Sequence, residues 1–247
     1  MSRIDVLGVS FDSMTKKEAV EKALQLMREH RAAYIVTPNP EIVMATWENE
    51  ALLKAVSGAD LVLPDGVGVV RAAKMLGTPL REKLPGIDVA SSVIEELAKA
   101  GKSVYLLGAK PGIAEAAARE LLKKYPGLTV CGTHDGYFKE DEPIIADINA
   151  KKPDFLLVCL GFPKQELWMA KYAGKLDVGI MAGLGGTLDV FAGTVKRAPL
   201  MWQRLGLEWL YRCIKEPWRF RRISKLPGFM FKALGMRIRK LFNGKQG

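Results

Sequence analysis

The amino-acid sequence predicts an α/β fold, a Rossmann-like parallel sheet flanked by helices, followed by a basic helical C-terminal appendage. Three observations predict it. Compact apolar runs of strand character alternate with segments whose apolar residues recur at helical spacing, and short polar turns join them, as in strand–helix–strand crossovers. The apolar runs are nearly continuous, as in strands that a parallel sheet buries on both faces. Charge then changes character near residue 195. Residues 196–247 hold 14 Lys and Arg against two acids, a net +12, whereas residues 1–195 hold 23 basic and 25 acidic residues, a net −2. The expected organisation is a core over residues 1–195 and an appendage over residues 196–247.

Arg3–Ser10 alternates as a strand. Thr15 followed by Glu18 is a capping box that opens a helix to about His30. Ala33–Thr37 is a second strand, ending in Thr37-Pro38-Asn39-Pro40, where Asn39 suits an N-cap and Pro40 the first helical position. Helical segments through Trp47 and over Ala51–Ser57 follow, the latter stopping at Gly58. Leu61–Leu63 is a short buried strand before Pro64-Asp65-Gly66. A helix covers about Val67–Leu76, and Asp88 suits the cap of another over Val89–Lys99. Ser103–Leu107, Leu128–Cys131, Phe155–Leu160 and Val178–Ala182 are the remaining strands. Helices lie between them at about Gly112–Tyr125, Pro143–Lys151 and Lys164–Tyr172. No internal repeat or low-complexity segment interrupts this order.

Composition narrows the function classes. Of 247 residues, 49% are apolar and 26% charged, which excludes disorder or a collagen-like repeat for the bulk of the chain. No apolar run approaches the ~20 residues that cross a bilayer. Met1–Ser13 lacks the layout of a signal peptide. Cys131, Cys159 and Cys213 are widely spaced and form no disulfide or zinc pattern, as expected in a reducing cytosol. With only His30 and His134, neither a histidine metal centre nor a Ser-His-Asp triad is expected, and no cofactor or metal is called for.

In open α/β sheets, ligands bind outside the carboxyl ends of the strands. Five such ends are rich in glycine and polar residues: 37–39, 64–68, 108–112, 161–166 and 183–187. Glycines let backbone N–H groups approach an anion, and a following helix N-terminus favours negative charge, so a nucleotide diphosphate is the expected occupant. The nucleotide-binding candidates are Gly108, Gly161, Lys164, Gly185, Gly186, Thr187 and Asp189. The chain has neither a P-loop nor a dinucleotide fingerprint. It also lacks Asp-x-Asp, so charge on a departing diphosphate would fall to Arg or Lys. Asp65, between Pro64 and Gly66 at a strand end, admits two readings. It can take a proton from an attacking hydroxyl, or it can serve as a turn aspartate bonding its own backbone.

Taken together, Thr37-Pro38-Asn39-Pro40-Glu41, Pro64-Asp65-Gly66, Pro85-Gly86-Ile87-Asp88, Leu160–Trp168 and Gly185–Gly193 resemble the motifs of the TagA/WecG/CpsF glycosyltransferase family. Arg197-Ala198-Pro199, Gly206–Leu210 and Glu216-Pro217 extend the resemblance, which covers about residues 4–222 in order. It implies an inverting, metal-independent transfer of N-acetylmannosamine from UDP to undecaprenyl-diphosphate-linked N-acetylglucosamine, forming the linkage unit for wall teichoic acid. Other donors in the family include the uronic acid of N-acetylmannosamine and other UDP-hexoses. It further implies that Asp65 is the general base, that Thr37, Asn39 and Gln165 line the donor–acceptor pocket, and that the Gly185–Asp189 loop lies near the nucleotide. Where family members commonly carry Arg, this chain has Lys83, which keeps the charge but not the two-pronged grip on phosphate.

In the appendage, Pro199–Tyr211 reads as an amphipathic helix, and Arg212, Arg219 and Arg222 are the candidates for stabilising the leaving diphosphate. Farther on, Met230, Phe231, Leu234, Ile238, Leu241 and Phe242 share about 120° of helical arc, with Lys232, Arg237, Arg239 and Lys240 filling the rest. That is the layout of an interfacial helix on an anionic membrane. An Arg- and aromatic-rich tail also suits single-stranded nucleic acid. The five polar loops at one sheet edge favour an enzyme without a nucleic-acid partner, cytoplasmic and peripheral on the inner face of the cell membrane. Homo-oligomerisation stays open.

Overall fold

The computed structural model describes residues 2–215 and 226–243. Strands β1 (Arg3–Val6) and β2 (Val9–Asp12) form a separate antiparallel hairpin. The remaining strands, β3 (Ala33–Val36), β4 (Leu61–Val62), β5 (Ser103–Gly108), β6 (Thr129–His134), β7 (Phe155–Cys159) and β8 (Ile180–Gly183), form one parallel six-stranded sheet in the order β4-β3-β8-β7-β5-β6. Register is set by pairs such as Tyr34 with Met181, Leu156 with Met181 and Val104 with Phe155.

Helices cover both faces. Helices α1 (Lys16–Glu29), α5 (Gly86–Lys99) and α6 (Ile113–Lys124) bury their apolar stripes against Ile35, Leu63, Val104, Leu106, Leu157 and Ile180. The opposite face carries α2 (Pro40–Thr46), α3 (Glu50–Ser57), α4 (Val67–Met75), α7 (Glu142–Lys151) and α8 (Lys164–Tyr172), packed on Tyr34, Val36, Tyr105, Leu107, Leu156 and Met181. The local signals act as read. Thr15 and Glu18 form a complete capping box on α1, and Asn39 caps α2 with Pro40 at its first position.

Four elements differ from the sequence-based expectation, and a fifth, the short helix Thr187–Phe191, has no counterpart in it. The first strand is a hairpin, because Leu7 and Gly8 both take positive φ (58° and 96°), the geometry of a tight two-residue turn. Its second strand covers the sheet edge: the Asp12 carboxylate accepts the Val62 N–H at 2.9 Å. Asp88 does not cap α5, which already begins at Gly86 behind Pro85, and its carboxylate turns to Arg197 instead. Strand β6 runs over 129–134 at the edge of the sheet and is half-buried at most positions, because among the described residues no strand covers its far side.

The expected helix over Pro199–Tyr211 is two. α9 (Thr187–Phe191) is followed by α10 (Leu200–Arg204) and α11 (Glu208–Lys215), with Gly206 at φ 71° breaking the register between the last two. The distal helix, α12 (Leu226–Asn243), is present, but one side of it packs on the body. Phe229 and Ala233 are fully buried, and the Phe229 ring stacks 6.5 Å from Trp47. The Lys232 ammonium lies 3.4 Å above the Trp47 ring. Phe231, Leu234 and Ile238, on the opposite side, are exposed. Among the described residues no helix is long and apolar enough to cross a membrane.

Phe229 is the knob that seats α12. Phe229→Ala should remove about 3–5 kcal/mol of packing. It should render residues 226–243 sensitive to limited proteolysis while the body melts within a few degrees of the parent. Equal sensitivity of parent and variant would show that α12 is held by other contacts.

Candidate active site

Because the strands are parallel, their carboxyl ends open on one edge, and the loops there are laced together by the backbone. Leu63 N–H donates to Val36 O at 2.9 Å, Asp65 N–H to Pro38 O at 3.2 Å, and Leu84 N–H to Pro64 O at 2.9 Å. Gly68 in the first turn of α4 has no Cβ to meet Pro40, whose Cγ would lie 2.6 Å away. The turns after β3 and β4 therefore close on each other and bring Asn39 beside Asp65.

Between them lies a cavity of about 260 Å³. Asn39, Asp65 and Lys83 supply its polar wall, with Glu41, while Pro40, Met44, Val67, Pro85 and Ile87 supply apolar surface. Glu208, Trp209 and Leu226 close it from the C-terminal side. Three carboxylates, a carboxamide and an ammonium thus share one small, mostly apolar chamber. Asn39 Oδ1 is engaged in capping Ile42 N–H at 3.1 Å, so the amide nitrogen is what it can offer a ligand.

The other expected site residues lie along the same edge but outside this chamber. Thr37 Oγ1 donates to Gly183 O at 3.3 Å, behind the chamber at the β3–β8 junction. Gln165 is buried and ties the β8 loop: its Oε1 accepts the Gly185 N–H and its Nε2 donates to Glu166 Oε1, both at 2.9 Å. Gly183 makes room for it, since a Cβ there would stand 3.1 Å from Gln165 Nε2. Thr187 is buried and donates to Leu184 O at 2.6 Å. The Asp189 carbonyl accepts from Val195 N–H and Thr194 Oγ1.

Gly185, Gly186 and Gly161 present open backbone, whereas Gly108 (φ 130°) touches the neighbouring strand, where a Cβ would lie 2.3 Å from Cys159 O. Lys164 reaches across to Gly136 O at 3.0 Å and over the Phe138 ring. These residues form a glycine-rich shelf over β5, β7 and β8, adjoining the Asp65 chamber. Arg219 and Arg222 lie outside the described residues, as does the side chain of Arg212, although its backbone belongs to α11.

Sequence reasoning read Asp88 as a helix cap and placed Arg197, Glu208 and Trp209 in family-like motifs, but gave none of the four a part in the site. Arg197 binds Asp88 with both terminal nitrogens, Nη2 to Oδ2 at 2.9 Å, and its Nε lies 3.4 Å from Glu208 Oε1. Burial raises the pKa of Asp88, but the Arg197 hydrogen bonds and charge, with Lys16 and Lys83 nearby, outweigh it and hold the carboxyl below its ordinary range. The usable signal was an acid–aromatic pair, Glu208-Trp209, inside an otherwise basic tail. Among the described residues no three His, Cys, Asp or Glu side chains cluster as metal ligands do.

A sequence model of the glycosyl transferase WecG/TagA/CpsF family matches residues 4–243. Among curated relatives, the N-acetylglucosaminyldiphosphoundecaprenol N-acetyl-beta-D-mannosaminyltransferases of Staphylococcus aureus strains MW2 and NCTC 8325 are each 36% identical over 233 residues, covering 94% of this chain and 92% of the relative.

Glu166, beneath the shelf, is 1% exposed, and its Oε2 has no hydrogen-bond partner among the described residues. Burial raises its pKa, with the Gln165 hydrogen bond opposing. The unfolded chain therefore loses this proton at lower pH than the folded one, and stability falls as pH rises from the ordinary carboxylate range towards the folded pKa. Glu166→Gln keeps the shape and the Gln165 contact without the charge. Its melting temperature should gain on the parent as pH rises above the ordinary carboxylate range, about pH 4. Parallel curves for the two proteins would show that Glu166 stays charged at no cost.

Proposed function

The chain belongs to the WecG/TagA/CpsF glycosyl transferase family, and from that premise we propose that it moves N-acetylmannosamine from UDP to undecaprenyl-diphosphate-linked N-acetylglucosamine, with inversion and without a metal ion. The observation that carries this reading is the shared chamber of Asp65, Asn39 and Lys83 at the carboxyl edge of the sheet, next to a glycine-rich shelf. The activity for which the Staphylococcus aureus relatives are named supports the acceptor and the sugar.

In this mechanism the acceptor hydroxyl attacks the anomeric carbon as its proton passes to the Asp65 carboxylate. The bond from that carbon to the UDP oxygen breaks, and its electron pair leaves with the diphosphate, so one displacement inverts the centre. Lys83 and the Asn39 amide orient the reacting groups from the same wall. The shelf at Gly108, Gly161, Lys164 and Gly185–Asp189 holds the nucleotide, where its glycines let the phosphates approach the backbone closely and Lys164 adds a positive charge. Gln165 shapes that shelf through Gly185, and Thr37 braces β3 against β8. Negative charge on departing UDP falls to cations. Arg212, Arg219 and Arg222 of the appendage (residues 196–247) are suited to supply them when that segment covers the core (residues 1–195).

The acceptor is a lipid, so the enzyme must work at a membrane surface. The exposed apolar side of α12, Phe231, Leu234 and Ile238, and the net charge of +12 over residues 196–247 support peripheral binding to an anionic membrane on its cytoplasmic face.

Two measurements test this reading. Asp65→Asn, assayed with a panel of UDP-sugars, an acceptor analogue and EDTA, should retain UDP binding and lose about 10²–10⁴-fold in turnover. Turnover within a few-fold of the parent would remove Asp65 from the chemistry, and loss of parent activity in EDTA would remove the metal-free mechanism. For the membrane contact, Phe231→Asp with Ile238→Asp should weaken binding to anionic liposomes at least ~10-fold, about the 1.4 kcal/mol that one or two withdrawn apolar side chains readily exceed. Unchanged partitioning would place the contact elsewhere.

A further inference from the structure

We propose that Arg197 is a positioning residue, which locks the Glu208–Trp209 wall of the chamber against the wall that carries Asp65 and Lys83, using Asp88 as its anchor. The inference deepens the transferase reading and rests on it for its kinetic consequence. The geometry stands by itself.

The chamber has two walls of different origin. One belongs to the body: Asp65 follows β4, Lys83 precedes α5, and Ile87 lies in the first turn of α5. The other comes from beyond the core, where Glu208 and Trp209 open α11. Nothing in the parallel sheet dictates where α11 should sit. Arg197 joins the two. Its guanidinium binds the Asp88 carboxylate in a two-pronged pair, one residue along the chain from Ile87. The remaining nitrogen of the fork meets Glu208, one residue before Trp209. A single planar cation thus spans side chains 109 and 11 residues away in sequence.

The cluster is sheltered, with side-chain exposures of 21% for Arg197, 34% for Asp88 and 19% for Glu208. Screening by water is therefore weaker than at an open surface pair. Around it, α10 and α11 are tied to each other, since the Trp202 and Tyr211 rings meet at 5.7 Å and Leu207 N–H donates to Trp202 O at 2.8 Å. Placing Glu208 therefore places the whole α10–α11 unit. Only a guanidinium can do this. A lysine ammonium is a point charge and cannot hold a carboxylate at both oxygens while reaching a second acid. Displacing a wall by as little as 1 Å can cost on the order of 10²-fold in rate, because reacting groups leave the near-attack arrangement.

The test uses the full chain. Arg31 is the matched control: it also bridges two acids, Glu29 and Asp60, but next to the amino end of β3. Arg197→Gln should lower kcat by roughly 30–100-fold with KM for the UDP-sugar changed less than ~3-fold. It should also speed amide exchange across residues 208–215, while Arg31→Gln does neither. Asp88→Asn should reproduce the loss, and Arg197→Lys should recover only part of it. Adding Trp209→Ala to Arg197→Gln should lower kcat no further than the worse single change, because both act through one wall.

If Arg197→Gln does not fold, Asp88→Asn and Arg197→Lys carry the same comparison. Turnover within ~3-fold of the parent, multiplicative losses with Trp209→Ala, or unchanged exchange over 208–215 would overturn the proposal. Should the parent transfer no sugar at all, the transferase reading fails, and the exchange measurement alone decides whether Arg197 holds the wall.

Discussion

Each strand of the parallel sheet sends alternate side chains into opposite cores, Val104 and Leu106 to one and Tyr105 and Leu107 to the other, so neither face can be left to water. That double burial demands a helix after nearly every strand and returns the chain each time to the same starting edge. All the loops that carry polar residues and glycine are then forced together at the carboxyl edge. The chamber and the shelf are consequences of this constraint, and their chemistry depends on how tightly neighbouring loops can approach.

Close approach is where the glycines matter. Gly68 lets α4 lie on Pro40, and Gly183 leaves space for Gln165 to run beneath the β8 loop. The amide of Gln165 is oriented from both ends, by Glu166 on its nitrogen and by Gly185 N–H on its oxygen. A residue that a motif alone marks as pocket-lining is, in the fold, a buried strut for the loop above it. Such a strut and a substrate contact leave the same trace in a sequence, since both require one residue type at one place.

The C-terminal segment follows different physics from the body. Its charge and its exposed apolar side suit a surface outside the protein, yet Phe229 and Ala233 are buried in the core that also holds Trp168 and Tyr172. The segment is thus docked by one face and leaves the other unpartnered by the described chain. Arg197 and Asp88 tie its beginning, and α12 ties its end to α2 and α4.

The sequence by itself determined the order of strands and helices, the α1 and α2 caps, the change of character near residue 195 and the set of loops at the sheet edge. These follow from local periodicity, from capping chemistry and from the rule that parallel strands share one open end. It misjudged the elements decided by neighbours. Leu7-Gly8 became a turn because the hairpin covers the β4 edge, and Asp88 left the cap position because a cation 109 residues away claimed its carboxylate. Tertiary structure alone decided which candidate residues share a chamber: Asn39, Asp65 and Lys83 meet there with Glu208 and Trp209, while Gln165 and Thr187 turn inward to brace the shelf. The reason is that the turns after β3 and β4 meet a wall, Glu208 and Trp209, that lies far along the chain, while the shelf loops after β7 and β8 reach their neighbours only through the spatial order β4-β3-β8-β7-β5-β6, and no local pattern encodes either distance.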